Sequence, residues 1–191
     1  GSGDVLIEAG SSKSGIGGGV VLKSGAGNAG SGDATFGSMD ANDVALRLSG
    51  DISVTSGSSG QGSSGGVSLS SGASIDGGSG DISVKAGAAD KMGGSITVAA
   101  GDSSSGPGGN LHMESGKSPA ASSGNVVVAT ADGSPITDSG AMIVSTGSGA
   151  SSGDLEITSG DSLASSGKPG SVQISAGRSV GTGGSVLLQG G

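Results

Sequence analysis

One phrase recurs from end to end of this chain: a Gly, a Gly or small polar residue, then aliphatic–any–aliphatic–any–small, and usually another Gly. It reads Gly3-Asp4-Val5-Leu6-Ile7-Glu8-Ala9-Gly10 near the start and Gly80-Asp81-Ile82-Ser83-Val84-Lys85-Ala86-Gly87 in the middle. At the end it reads Gly184-Ser185-Val186-Leu187-Leu188-Gln189-Gly190-Gly191. The first aliphatic falls at Val5, Val20, Ala34 (a weak match), Ile52, Val67, Ile82, Ile96, Leu111, Val126, Met142, Leu155, Val172 and Val186. Successive spacings are 15, 14, 18, 15, 15, 14, 15, 15, 16, 13, 17 and 14 residues. A period held over the whole length is the mark of repeated structural units, each contacting its neighbours.

The ingredients limit what such units can bury. Of 191 residues, 45 are Gly; Phe36 is the only aromatic, and Trp, Tyr and Cys are absent. Aromatic side chains supply much of the bulk of an ordinary core, so this chain can fill a thin interior but not a wide one. Gly and Ser at this density usually mark a flexible linker. A linker, however, has no reason to return Val and Ile at fixed intervals, and the phase argues for ordered repeats. With no Cys, disulfides and thiolate metal sites are excluded.

Charge narrows the partners. The formal net charge is −8, and the 8 Lys and Arg residues make no basic stripe that could follow a phosphate backbone. Nucleic acid is therefore not an expected partner, and no membrane insertion is expected. Runs such as Val126-Val127-Val128-Ala129 are too short to cross a bilayer. The chain opens on Gly1 in phase with the repeat, as expected for an excerpt of a longer or processed array.

Within each phrase, alternation puts two bulky side chains on one face of a strand. The expected inward ladder is Val5, Ile7, Val20, Leu22, Ile52, Val54, Val67, Leu69, Ile82, Val84, Ile96, Val98, Leu111, Met113, Val126, Val128, Met142, Val144, Leu155, Ile157, Val172, Ile174, Val186 and Leu188. Only about nine residues separate consecutive strands, too few for the helical crossover that usually joins parallel strands. The expectation is therefore an all-β fold: a single narrow parallel β-solenoid (β-helix) spanning 1–191, of about 13 coils with roughly 15 residues per coil. The opposite wall of each coil would be Gly, Ala and Ser. Ile16, Ile75, Met92, Ile136, Leu163 and Val180 would fill its far end, and an irregular enlarged coil near 34–51 would hold Val44-Ala45-Leu46-Arg47-Leu48.

Several motifs resemble chemistry without its context. Gly25-Ala26-Gly27-Asn28-Ala29-Gly30 fits G-x-G-x-x-G, but another phrase follows where a pyrophosphate-binding helix is required. Gly116-Lys117-Ser118 lacks the upstream Gly of a P-loop, with Leu111 in its place. Asp4, Asp33, Asp51, Asp81 and Asp154 precede their strands in a column interrupted by Asn110 and Asn125. The spacing is not that of the Ca²⁺-binding nonapeptide, and such side chains commonly bond to nearby backbone at turns. Turn capping is the expectation, with Ca²⁺ the alternative and no other cofactor. His112, the one His, sits two residues from Glu114 and cannot anchor a Ser–His–acid set among repeat positions. No catalytic, cofactor-binding or metal-ligating residue is assigned, and the chain is expected not to be an enzyme.

The outward positions carry their own information. Leu6, Val21, Val127, Ile143 and Leu187 are apolar where a solvated strand would be polar, and are candidates for lateral contact with another chain. By period and composition, the whole chain resembles the extracellular Gly/Ser-rich β-solenoid arrays of adhesins, surface fibres and flagellar hairs. That resemblance implies a secreted or cell-surface structural role, as a stiff rod, filament subunit or adhesin building block, with copies of itself or neighbouring chains as partners. The alternative is an ice-binding (antifreeze) β-solenoid. The repeated Thr-x-Thr face commonly used for that purpose is missing: the outward pairs run Leu6/Glu8, Val21/Lys23, Ser53/Thr55, Ser68/Ser70, Thr97/Ala99, His112/Glu114 and Gln173/Ser175.

Overall fold

The computed structural model describes residues 3–28, 30–39 and 49–190. The chain divides into two units, Gly1–Thr97 and Val98–Gly191, a division that falls inside the phrase Ile96-Thr97-Val98. Neither unit contains a helix or a β-strand among its described residues. The all-β parallel β-solenoid expected from the period is therefore not formed; the chain is irregular and coil-like. Val44–Leu48, the second wall expected of an enlarged coil near 34–51, lies outside the described residues.

The period nevertheless governs where the chain bends. In the first unit, sharp changes of direction begin at residues 13, 28, 60, 75 and 90. In the second they begin at 104, 119, 135, 149, 164 and 180, so 14 to 16 residues separate each from the next. The aliphatic phrases between them run without a bend. Ser and Gly drive the turns, since Gly lacks the Cβ that restricts backbone angles and Ser can bond to its own neighbourhood. The Ser12 Oγ accepts from the Gly15 N–H at 2.9 Å, and Ser59, Ser74 and Ser103 do the same for Gly62, Gly77 and Gly106 at 3.0, 3.1 and 2.9 Å.

A second recurring bond gathers seven of these bends into closed loops. The Gly that opens a phrase donates its N–H to the carbonyl of the Gly that closed the phrase before. The first unit has Gly18 to Gly10 at 2.8 Å, Gly32 to Gly25 at 2.9 Å and Gly94 to Gly87 at 3.0 Å. The second has Gly109 to Gly101 at 2.9 Å, Gly124 to Gly116 at 2.8 Å, Gly170 to Gly160 at 3.3 Å and Gly184 to Gly177 at 3.0 Å. These latches bring loop ends together as in compact Ω-type loops. Small residues face one another at several of them. A Cβ on Gly94 would stand 3.2 Å from the Ala86 Cβ, and one on Gly124 would stand 3.5 Å from the Ser115 Cβ.

The physical reason for the missing sheet is visible in these bonds. A ladder would require phrase-to-phrase pairing of N–H and C=O groups along each strand. The recurring backbone bonds instead close seven loops within the chain, each between one phrase and the next. Burial does not supply the difference. No described residue is buried, and the accessible area is 18,995 Å². A folded monomer of this mass would expose about 7,800 Å² and a fully unfolded chain about 25,000 Å². Two aliphatic side chains in about fifteen residues, the rest largely Gly and Ser, offer little apolar area against the entropy of ordering, which is greatest for Gly.

Candidate assembly surface

The least exposed side chains are not the aliphatic ones. Ala86, Ser115 and Ser162 alone among the described residues are partly covered. Ala86 and Ser115 stand opposite the latch glycines Gly94 and Gly124, so close approach occurs at the latches and not along the ladder. The alternation of the phrase puts these small residues on the same face as its aliphatics, and their pairing with Gly was missed. The signal was there: in most repeats a phrase-final Ala or Ser is followed eight or nine residues later by the Gly that opens the next phrase.

The ladder residues themselves are graded by position. Apart from Val5 (91%), the first aliphatic of a phrase is about half exposed, as at Ile82 (50%), Ile96 (54%) and Val67 (62%). Away from the first and last phrases, an aliphatic at the middle position is the most open, as at Val127 (82%) and Ile143 (85%). The third is intermediate. The phrases thus keep a sided character without a core beneath them. All five lateral-contact candidates, Leu6, Val21, Val127, Ile143 and Leu187, are among the exposed large hydrophobics, together with Ile16, Ile75, Met92, Ile136, Leu163 and Val180 from the loops. Nothing in either unit brings the expected fillers onto the ladder as covered packing.

The chemistry-like motifs resolve into local bonds. Gly25–Gly30 lies within a closed loop, with the Gly32 N–H on the Gly25 carbonyl and the Gly30 N–H on the Gly27 carbonyl at 3.3 Å. At Gly116-Lys117-Ser118, the Ser118 Oγ accepts from Ala121 N–H at 3.0 Å, and the Gly116 carbonyl takes the Gly124 latch. His112 Nε2 lies 3.2 Å from Glu114 Oε2, with both side chains largely in solvent, so the contact is a surface pair of small energetic weight. Asp4, Asp33, Asp51, Asp81 and Asp154 form no group that could hold a metal ion among the described residues. No helix of the described residues is long and apolar enough to cross a membrane. The surface that remains is the repeated aliphatic phrase, offered to solvent about every fifteen residues. Comparison with protein-family models, with curated proteins and with solved structures gives no match.

Proposed function

We propose that this chain is a non-enzymatic, extracellular structural repeat segment that builds a filament or adhesive fibre by associating with copies of itself. One observation carries the reading: the aliphatics of the phrase lie exposed at recurring positions through both units. Soluble monomers rarely leave large contiguous apolar surfaces open, and such surfaces commonly mark association sites. At about 25 cal/mol per Å², covering even a third of the ladder residues would supply a contact on the scale of the roughly 800 Å² per partner found in stable interfaces. A second copy is the natural complement, because only a chain with the same spacing can meet several phrases at once. Extracellular placement is supported by the resemblance to Gly/Ser-rich surface arrays, and antibody labelling of intact cells tests it.

The decisive experiment is sedimentation velocity over a hundredfold range of concentration, followed by electron microscopy of the fast-sedimenting fraction. Growing assemblies with filamentous form are expected. A chain that stays monomeric throughout overturns the reading, and substantial thermal hysteresis by that monomer would move it to ice binding.

A further inference from the structure

Within the second unit, two consecutive phrases share a make-up that otherwise recurs there only at Val186-Leu187-Leu188. Val126-Val127-Val128 and Met142-Ile143-Val144 place aliphatics at all three central positions, so apolar side chains stand on both faces. Neither Asn125–Ala131 nor Ala141–Thr146 contains a charge, a Gly or a Pro. Short uncharged segments of high β-propensity are those that stack identical copies most readily. Both run without a bend, and among the described residues their backbone N–H and C=O groups enter no backbone hydrogen bond. The turn between them is held in place. The Thr137 N–H donates to the Ser134 carbonyl at 3.1 Å, and the Ser134 N–H donates to the Thr137 Oγ1 at 2.9 Å. Pro135, inside that turn, has no N–H with which to extend pairing into the loop.

Resting on the self-association reading above, we infer that 125–131 and 141–146 are the segments through which two copies first join, each lying backbone to backbone along the same segment of a second chain. Charge favours these segments over the charged phrases, and it favours a second copy as the occupant. Pairing identical copies in register puts like residues opposite one another. At Glu8, Lys23, Lys85, Glu114 and Glu156 that sets like charge against like, which is destabilising. At Val127, Ala129, Ile143 and Ser145 no such cost arises. Val127 and Ile143 are 16 residues apart in both partners, so the two segments engage together. Unpaired backbone groups supply affinity and the alternating side chains supply register.

The chain has no Cys, so a single introduced thiol takes a spin label at one known place. Ala129→Cys and Ser145→Cys, labelled and assembled, should each give an exchange-narrowed resonance from labels stacked at about 4.8 Å. Ser83→Cys, beside Lys85, should not. In parallel, the paired substitutions Val127→Asp and Ile143→Asp should raise the concentration needed for assembly at least about tenfold. Ser53→Asp with Ser68→Asp, adding the same charge elsewhere, should leave it within about twofold. If wild-type chains assemble but the labels at 129 and 145 show no exchange, or both double variants behave alike, the assignment of these segments falls and the self-association reading stands. If wild-type chains do not assemble, both fall.

Discussion

At the Gly94 latch a missing Cβ keeps the approach of two chain segments close. The Gly94 amide reaches the Gly87 carbonyl because nothing projects from Gly94 toward Ala86, whose Cβ would lie 3.2 Å from a new side chain. Replacing Gly94 by Val should open that loop while leaving the others intact, since each is closed by its own bond. The exposed backbone bond is worth about 0.5–1.5 kcal/mol, so exchange of the amide at position 94 should quicken by roughly two- to tenfold in hydrogen-exchange NMR. Gly57→Ala, where a Cβ would meet open space, serves as the neutral comparison. Exchange unchanged at position 94 would show that the latch contributes nothing. At this scale the sequence was partly legible: the need for small residues followed from composition, whereas the pairing of Gly94 with Ala86 did not.

At the scale of the loop and the phrase, the Ser-x-x-Gly pattern does the local work. Ser103 caps the Gly106 amide at 2.9 Å, and the same pattern recurs from Ser12 to Gly15, Ser59 to Gly62 and Ser74 to Gly77. Ser103→Ala should release Gly106 and broaden the backbone resonances of residues 103–106, with an effect on the neighbouring Gly101–Gly109 latch of less than about twofold, because an exposed side-chain bond nets about 1 kcal/mol or less. Collapse of that latch as well would show the two bonds to be cooperative. Here the period was the legible part. The spacing of Ile52, Val67 and Ile82 foretold bends beginning at 60, 75 and 90, because Gly- and Ser-rich stretches must turn somewhere between unbent phrases. It could not foretell strands. A strand exists only by pairing with another, and that pairing depends on burial between repeats that Val67 at 62% and Ile82 at 50% exposure do not achieve.

For the molecule as a whole, repetition without a shared core makes every repeat a nearly independent event. Stability is local, and under the proposed self-association, assembly with other copies would be the route by which the exposed phrases leave water. The latches add a mechanical consequence. Each ring spans seven to ten residue steps from an acceptor to the donor that touches it, and a chain extends by up to about 3.3–3.6 Å per residue when drawn out. Pulled from its ends in a force-spectroscopy experiment, the protein should lengthen in small low-force increments of about 25–35 Å as individual rings let go. Smooth extension without such increments would mean that the rings hold no slack. In a fibre under load that slack would act as give: tension would be absorbed by short reversible openings before any covalent or lateral joint between chains had to bear it.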